Sequence, residues 1–86
     1  MPEISRFFGI VITMHQEDHG PPHFHARYGE HKARIAIAHC EVLAGRLPPR
    51  VLGMVIEWAT SHRAELEHDW RLATRRQPLD HIEPLR

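Results

Sequence analysis

Apolar and polar positions alternate through the first half of the chain and recur with a helical period through the second. Phe8, Ile10, Ile12 and Met14 fall on one face of an extended segment, with Val11 and Thr13 on the other. The β-branched content of the apolar stretch 7–14 predicts a strand there. Asp18-His19-Gly20-Pro21-Pro22 ends it, because two prolines and a glycine cannot continue a ladder. Phe24, Ala26 and Tyr28 then alternate with His23, His25 and Arg27, and Ala33, Ile35 and Ile37 alternate with Lys32, Arg34 and Ala36. A two-residue turn at Gly29-Glu30, glycine first, suits a type II′ hairpin. It pairs Phe24 with Ile35, Ala26 with Ala33, His25 with Arg34 and Arg27 with Lys32. A three-residue turn would mix the two faces, and a one-residue slip flips every side chain, so the shorter turn is favoured. Residues 39–41 make a further turn and 42–45 a short further strand.

Pro48-Pro49 opens the helical half, where a proline at the first position costs no hydrogen bond. Val51, Leu52, Val55, Ile56, Ala59, Leu66 and Trp70 keep helical spacing, and Trp58, His62, Leu66 and Trp70 recur every four residues. Arg71, Arg75 and Arg76 sit where a helix C-terminus favours cations, and Pro78 closes the segment. A straight helix over 48–76 would be roughly 43 Å long, against a radius of gyration of about 12 Å for a compact domain of this size. The helix therefore bends near Ser61, splits in two, or overhangs into a partner. An overhanging apolar stripe must be covered, which predicts a homo-oligomer.

The expected fold class is α+β: a small antiparallel sheet of three to four strands covered by one long or bent helix, with a short C-terminal extended tail. The chain reads as a single domain, 1–86, with a sheet half (1–46), a helical half (47–77) and a docking tail (78–86). Leu79, Ile82, Pro84 and Leu85 make that tail apolar enough to dock on the sheet.

Composition narrows the setting. Eleven basic and eleven acidic residues cancel, so no global charge argues for nucleic acid or an anionic membrane. The longest apolar run falls far short of the roughly 20 residues a spanning helix needs. Arg6 before that run imitates a signal peptide, but Glu3 and the polar stretch 15–18 do not fit one. Cys40 is the only cysteine, so no internal disulfide forms, and a lone thiol fits a reducing, cytoplasmic compartment. Nine histidines are the outlier; with an ordinary pKa of about 6.5 they would make the chain cationic on mild acidification.

Most of the candidate chemistry sits on those histidines. His23 and His25, two apart on a strand, point to one face and make a workable pair of ligands for a divalent transition metal. His19 or Asp18 in the adjoining loop, with His15 at the end of the preceding strand, would complete the set. The competing reading is a hydrated sheet face beside a proline turn. The same face carries Arg27, Lys32 and Arg34, which would contact nucleic acid or another anion. Two histidines there could also act as base and acid in phosphodiester cleavage, with the cations stabilising the charged phosphate. His62 interrupts an apolar stripe and is expected to be half-buried on a carbonyl or on Tyr28. Trp58 and Trp70 are expected in the core. Gly-rich phosphate loops, paired cysteines, His-Glu-x-x-His and nucleophile elbows are all missing from the sequence.

The opening 2–10, the segment Asp18-His19-Gly20-Pro21-Pro22-His23-Phe24-His25-Ala26-Arg27-Tyr28-Gly29, the helical Trp58…His62-Arg63-Ala64-Glu65-Leu66…Trp70 and the closing Pro78-Leu79…Ile82-Glu83-Pro84-Leu85 resemble the bacterial family called domain of unknown function 4160. His39-Cys40 departs from the acidic or glycine-containing turn of such proteins. The resemblance implies a small bacterial protein from two-gene units of toxin–antitoxin type, with a protein partner encoded nearby, and no established catalytic residues. Three functions follow: an interaction or regulatory module acting through that partner, a metal-binding domain using the His-Phe-His strand, or a small ribonuclease using the His/Arg/Lys face.

Overall fold

Phe8 and Gly9 both lie in the left-handed region, with φ of 49° and 79°, and they turn the chain back on itself inside the apolar stretch. A computed structural model, which describes residues 2–16 and 19–86, therefore places two strands where one was expected. These are β1 (Glu3–Phe7) and β2 (Ile10–Thr13). Two consecutive positive φ values are those of a type I′ hairpin, whose twist matches that of its strands. Phe8 stands at the turn and is 62% exposed, not on the buried face, while Phe7 is buried instead.

The chain continues through β3 (His23–Tyr28), β4 (His31–Ala36) and β5 (Val42–Gly45). All pairings are antiparallel and follow chain order, so the sheet is a five-strand meander, one strand more than the widest expectation. The β3–β4 hairpin has the register read from the sequence, with Phe24 across from Ile35 and Arg27 across from Lys32. Gly29 has φ of 59° and Glu30 does not have a positive φ, as a type II′ turn requires. At β5, a Cβ on Gly45 would land on the Lys32 carbonyl oxygen, so only glycine fits the close approach to β4.

Helix α1 (Pro49–Ser61) carries proline at its first position, and α2 (Arg63–Thr74) follows after a break at His62. The break has an identifiable cause. Thr60 Oγ1 donates to the Ile56 carbonyl at 2.8 Å, Ser61 Oγ to Glu57 at 3.2 Å and His62 Nδ1 to Trp58 at 2.9 Å. Three successive side chains thus back-bond to carbonyls four residues earlier, which bends helices. At the other end of α2, Arg76 takes φ of 56° and the Gln77 N–H reaches the Leu72 carbonyl, a Schellman closure made without glycine. Splitting lets both helices lie over the sheet within extents of 33 × 25 × 22 Å, so the overhang that argued for self-association does not arise.

One face of the sheet is buried by this cover. Ile10, Ile12, Phe24, Ile35 and Ile37 pack under Val51, Val55, Trp58 and Leu66. The Trp58 ring sits 5.4 Å from Phe7 and 5.9 Å from Phe24 between centroids. The tail docks as expected: Ile82 is buried, its N–H bonds the Ile4 carbonyl on the outer edge of β1, and Trp58 Nε1 donates to Glu83 O at 2.7 Å. Asp69 Oδ1 accepts the Asp80 N–H at 2.9 Å, tying α2 to the tail.

Candidate functional site

The second face of the sheet is open to solvent. Strand pairing lays a row of side chains straight across it: Glu3, Thr13, His25, Arg34 and Ala44 are successive partners. A neighbouring row runs Arg6, Val11, Arg27, Lys32. Strand side chains alternate, and the irregularity between Glu3 and Ser5 brings Glu3 into line with Arg6, so these rows share one face, opposite Phe24 and Ala26. All of them but Arg6 line a concavity of about 820 Å³, bounded by Glu3 of β1 on one side and by Ala44 and Gly45 of β5 on the other.

Charge is unevenly spread over it. Arg6 donates to Glu3 at 2.7 Å and holds that carboxyl below the usual range. Arg27, Lys32 and Arg34 are exposed and make no ion pair among the described residues. Arg27 stands directly across from Lys32, and like charges directly opposed on a sheet destabilise it. Glu3 and Glu30 line the same concavity, and Arg27 adds to the lowering of the Glu3 carboxyl.

The histidines divide into two kinds. His25 is half-buried on the open face, and the His15 ring stacks on it at 4.0 Å with the planes 25° apart. His23 had been expected on the surface, off the core. It is instead 2% exposed, with Nδ1 donating to the Pro21 carbonyl at 2.8 Å and its ring 5.2 Å from Trp70. The reason is that α2 reaches the end of the sheet where β3 begins, and Trp70, half-buried, caps that end. His23 and His25 still share a face, with ring centroids 5.2 Å apart.

Of the proposed metal ligands, His23 and His25 come together and His19 is exposed; Asp18 lies outside the described residues. Among the described residues no group of three or more His, Cys, Asp or Glu side chains is placed to hold a metal ion. The catalytic reading meets a geometric difficulty. His23 and His25 meet edge to face, and His23, 2% exposed with Nδ1 on the Pro21 carbonyl, has little of its ring open to a substrate. His62, as expected, is half-buried on a carbonyl, that of Trp58.

Sequence reasoning did not anticipate the Asp69 clamp. Asp69 is wholly buried and its Oδ2 has no hydrogen-bond partner among the described residues. Burial pushes its carboxyl up, and the nearby Asp80 carboxylate adds to that, while the Asp80 N–H opposes it. A signal was present: Asp69 lies three residues after Leu66 and four before Ala73, on the apolar stripe of α2.

Fold and face together define a class: a small α+β domain whose antiparallel sheet is covered on one side and open on the other. The chain belongs to the family described as Domain of unknown function (DUF4160), whose family model matches residues 9–71. No curated protein and no solved structure matches it. Among the described residues no helix is long and apolar enough to cross a membrane.

Proposed function

We propose that the protein is a non-catalytic interaction module whose working surface is the open sheet face, and that it takes an anionic partner there. One observation carries this reading. Arg27, Lys32 and Arg34 are held together on that face without an ion pair among the described residues, two of them directly opposed. Self-repulsion of this kind weakens the hairpin and is relieved when an anion binds between the charges. A regulatory protein in a two-gene unit of toxin–antitoxin type, acting with a partner encoded beside it, needs a recognition surface of this kind and no catalytic centre.

Heparin chromatography tests it. The wild-type protein should be retained and released by salt, and replacing Arg27, Lys32 and Arg34 with Ala should abolish retention. Replacing Arg50, Arg71 and Arg75, exposed cations of the helical half, removes the same charge and should leave retention nearly unchanged. Equal elution of the two triple variants would sink the reading, since net charge rather than the face would then be responsible.

A further inference from the structure

Building on the open face as the working surface, we infer that its anionic partner is a single-stranded nucleic acid, gripped through phosphates by Arg27, Lys32 and Arg34 and stacked through a base on the His15–His25 pair. Non-specific single-strand binders combine a basic groove with aromatic side chains on which bases stack. Both parts occur here side by side. Arg34 is the direct cross-strand partner of His25, so the cation nearest the stacked rings lies one strand away. Lys32 and Arg34 are two residues apart on one face of β4, about 7 Å, a spacing that suits successive phosphates of an extended strand.

The stack itself points to a base more than to a carboxylate. Two imidazoles 4.0 Å apart and 25° from parallel lie face to face, a polarisable stack that a base would extend on its outer side, and histidine is among the side chains on which unpaired bases stack. An acidic peptide would need the Arg and Lys side chains but not that stack. An extended peptide would also gain most by adding a strand to the sheet, and both edges oppose this: on β1 the tail already takes the Ile4 carbonyl. Strand β5 shifts register between Arg34 and Ile35 and ends on Gly45 with φ of 80°, irregularities that blunt an edge against pairing. The face is concave but open, so a flexible single strand can follow it where a stiff duplex would touch only the rim.

The test is fluorescence anisotropy at low salt with labelled oligouridylate and oligothymidylate, against a short RNA duplex and a polyglutamate peptide of equal charge. Both single strands should bind, and more tightly than duplex or peptide. The logarithm of the affinity should fall with the logarithm of salt at a slope of about −2, that is 0.7 for each of three phosphates. His25→Ala should weaken binding about tenfold without changing the slope, and His25→Phe should restore it. Arg34→Ala should reduce the slope by about 0.7. If polyglutamate binds as well as the oligonucleotides, or His25→Ala has no effect, the nucleic-acid inference is overturned while the anion-binding face stands. If the Arg27/Lys32/Arg34 triple Ala variant binds like wild type, both fall.

Discussion

On the helix-covered side of the β3–β4 hairpin, Phe24 faces Ile35 and Ala26 faces Ala33; on the other side of the same strands, His25 faces Arg34 and Arg27 faces Lys32. The backbone pairing is identical and the two faces obey different demands. The first set is 4% exposed or less, and each pair strengthens the sheet by apolar burial. The second set includes a like-charge pair that weakens it. A surface kept for solubility alone would intersperse its charges, as Arg6 and Glu3 do on β1. The contrast teaches that stability is concentrated on one side of this sheet, and the proposed function places recognition on the other.

Truncation on the covered face should have the largest effect. Phe24→Ala removes a fully buried ring beside Trp58 and should cost about 3–5 kcal/mol, read by urea denaturation. A cost below about 1 kcal/mol would mean that the packing described for that face is wrong.

A smaller effect of opposite sign should come from the open face. Lys32→Glu turns the repulsive pair with Arg27 into an attractive one and should stabilise the protein by about 0.2–1 kcal/mol. The same change should eliminate heparin retention. A variant that gained stability and kept its retention would separate the charge cluster from the function assigned to it.

The smallest effect concerns the clamp between α2 and the tail. The buried Asp69 carboxyl is shifted upward, so the folded state holds its proton more tightly than the unfolded state. Its contribution is therefore most favourable at low pH and is lost as pH rises through the raised value. Asp69→Asn keeps an oxygen for the Asp80 N–H and removes the buried charge. The variant should melt at or above the wild-type temperature at pH 7, and the advantage should vanish below about pH 3, where the aspartate is protonated in both states. A lower melting temperature at pH 7 would show that the ionised form is needed.

The hairpin register, the boundaries of β5, the proline start of α1 and the docking tail were all legible in the sequence, because each rests on local alternation or on a residue with one backbone option. The β1–β2 turn was not. Phe8 occupies a left-handed position that asparagine would usually mark, and it sits within an uninterrupted apolar run. Cys40, with φ of 53°, also takes a left-handed position without glycine or asparagine, but the turn at 39–41 was legible. The helix break near Ser61 was foreseeable from length, but which alternative prevailed depended on back-bonding by Thr60, Ser61 and His62, an outcome of side-chain geometry. At the site, parity correctly placed His25, Arg27, Lys32 and Arg34 on one face. It misjudged His23, since alternation tells which face a side chain takes and not whether Trp70, far along the chain on α2, covers that end of the sheet.

We propose that binding is confined to one face of one sheet. Titrating isotope-labelled protein with a short sulfated oligosaccharide, and following backbone amide resonances, tests it most directly. The expected result is that Thr13, His25, Arg27, Lys32 and Arg34 shift together while α1, α2 and the tail around Ile82 stay still. Shifts centred on the helices, or no shifts at saturating probe, would contradict it.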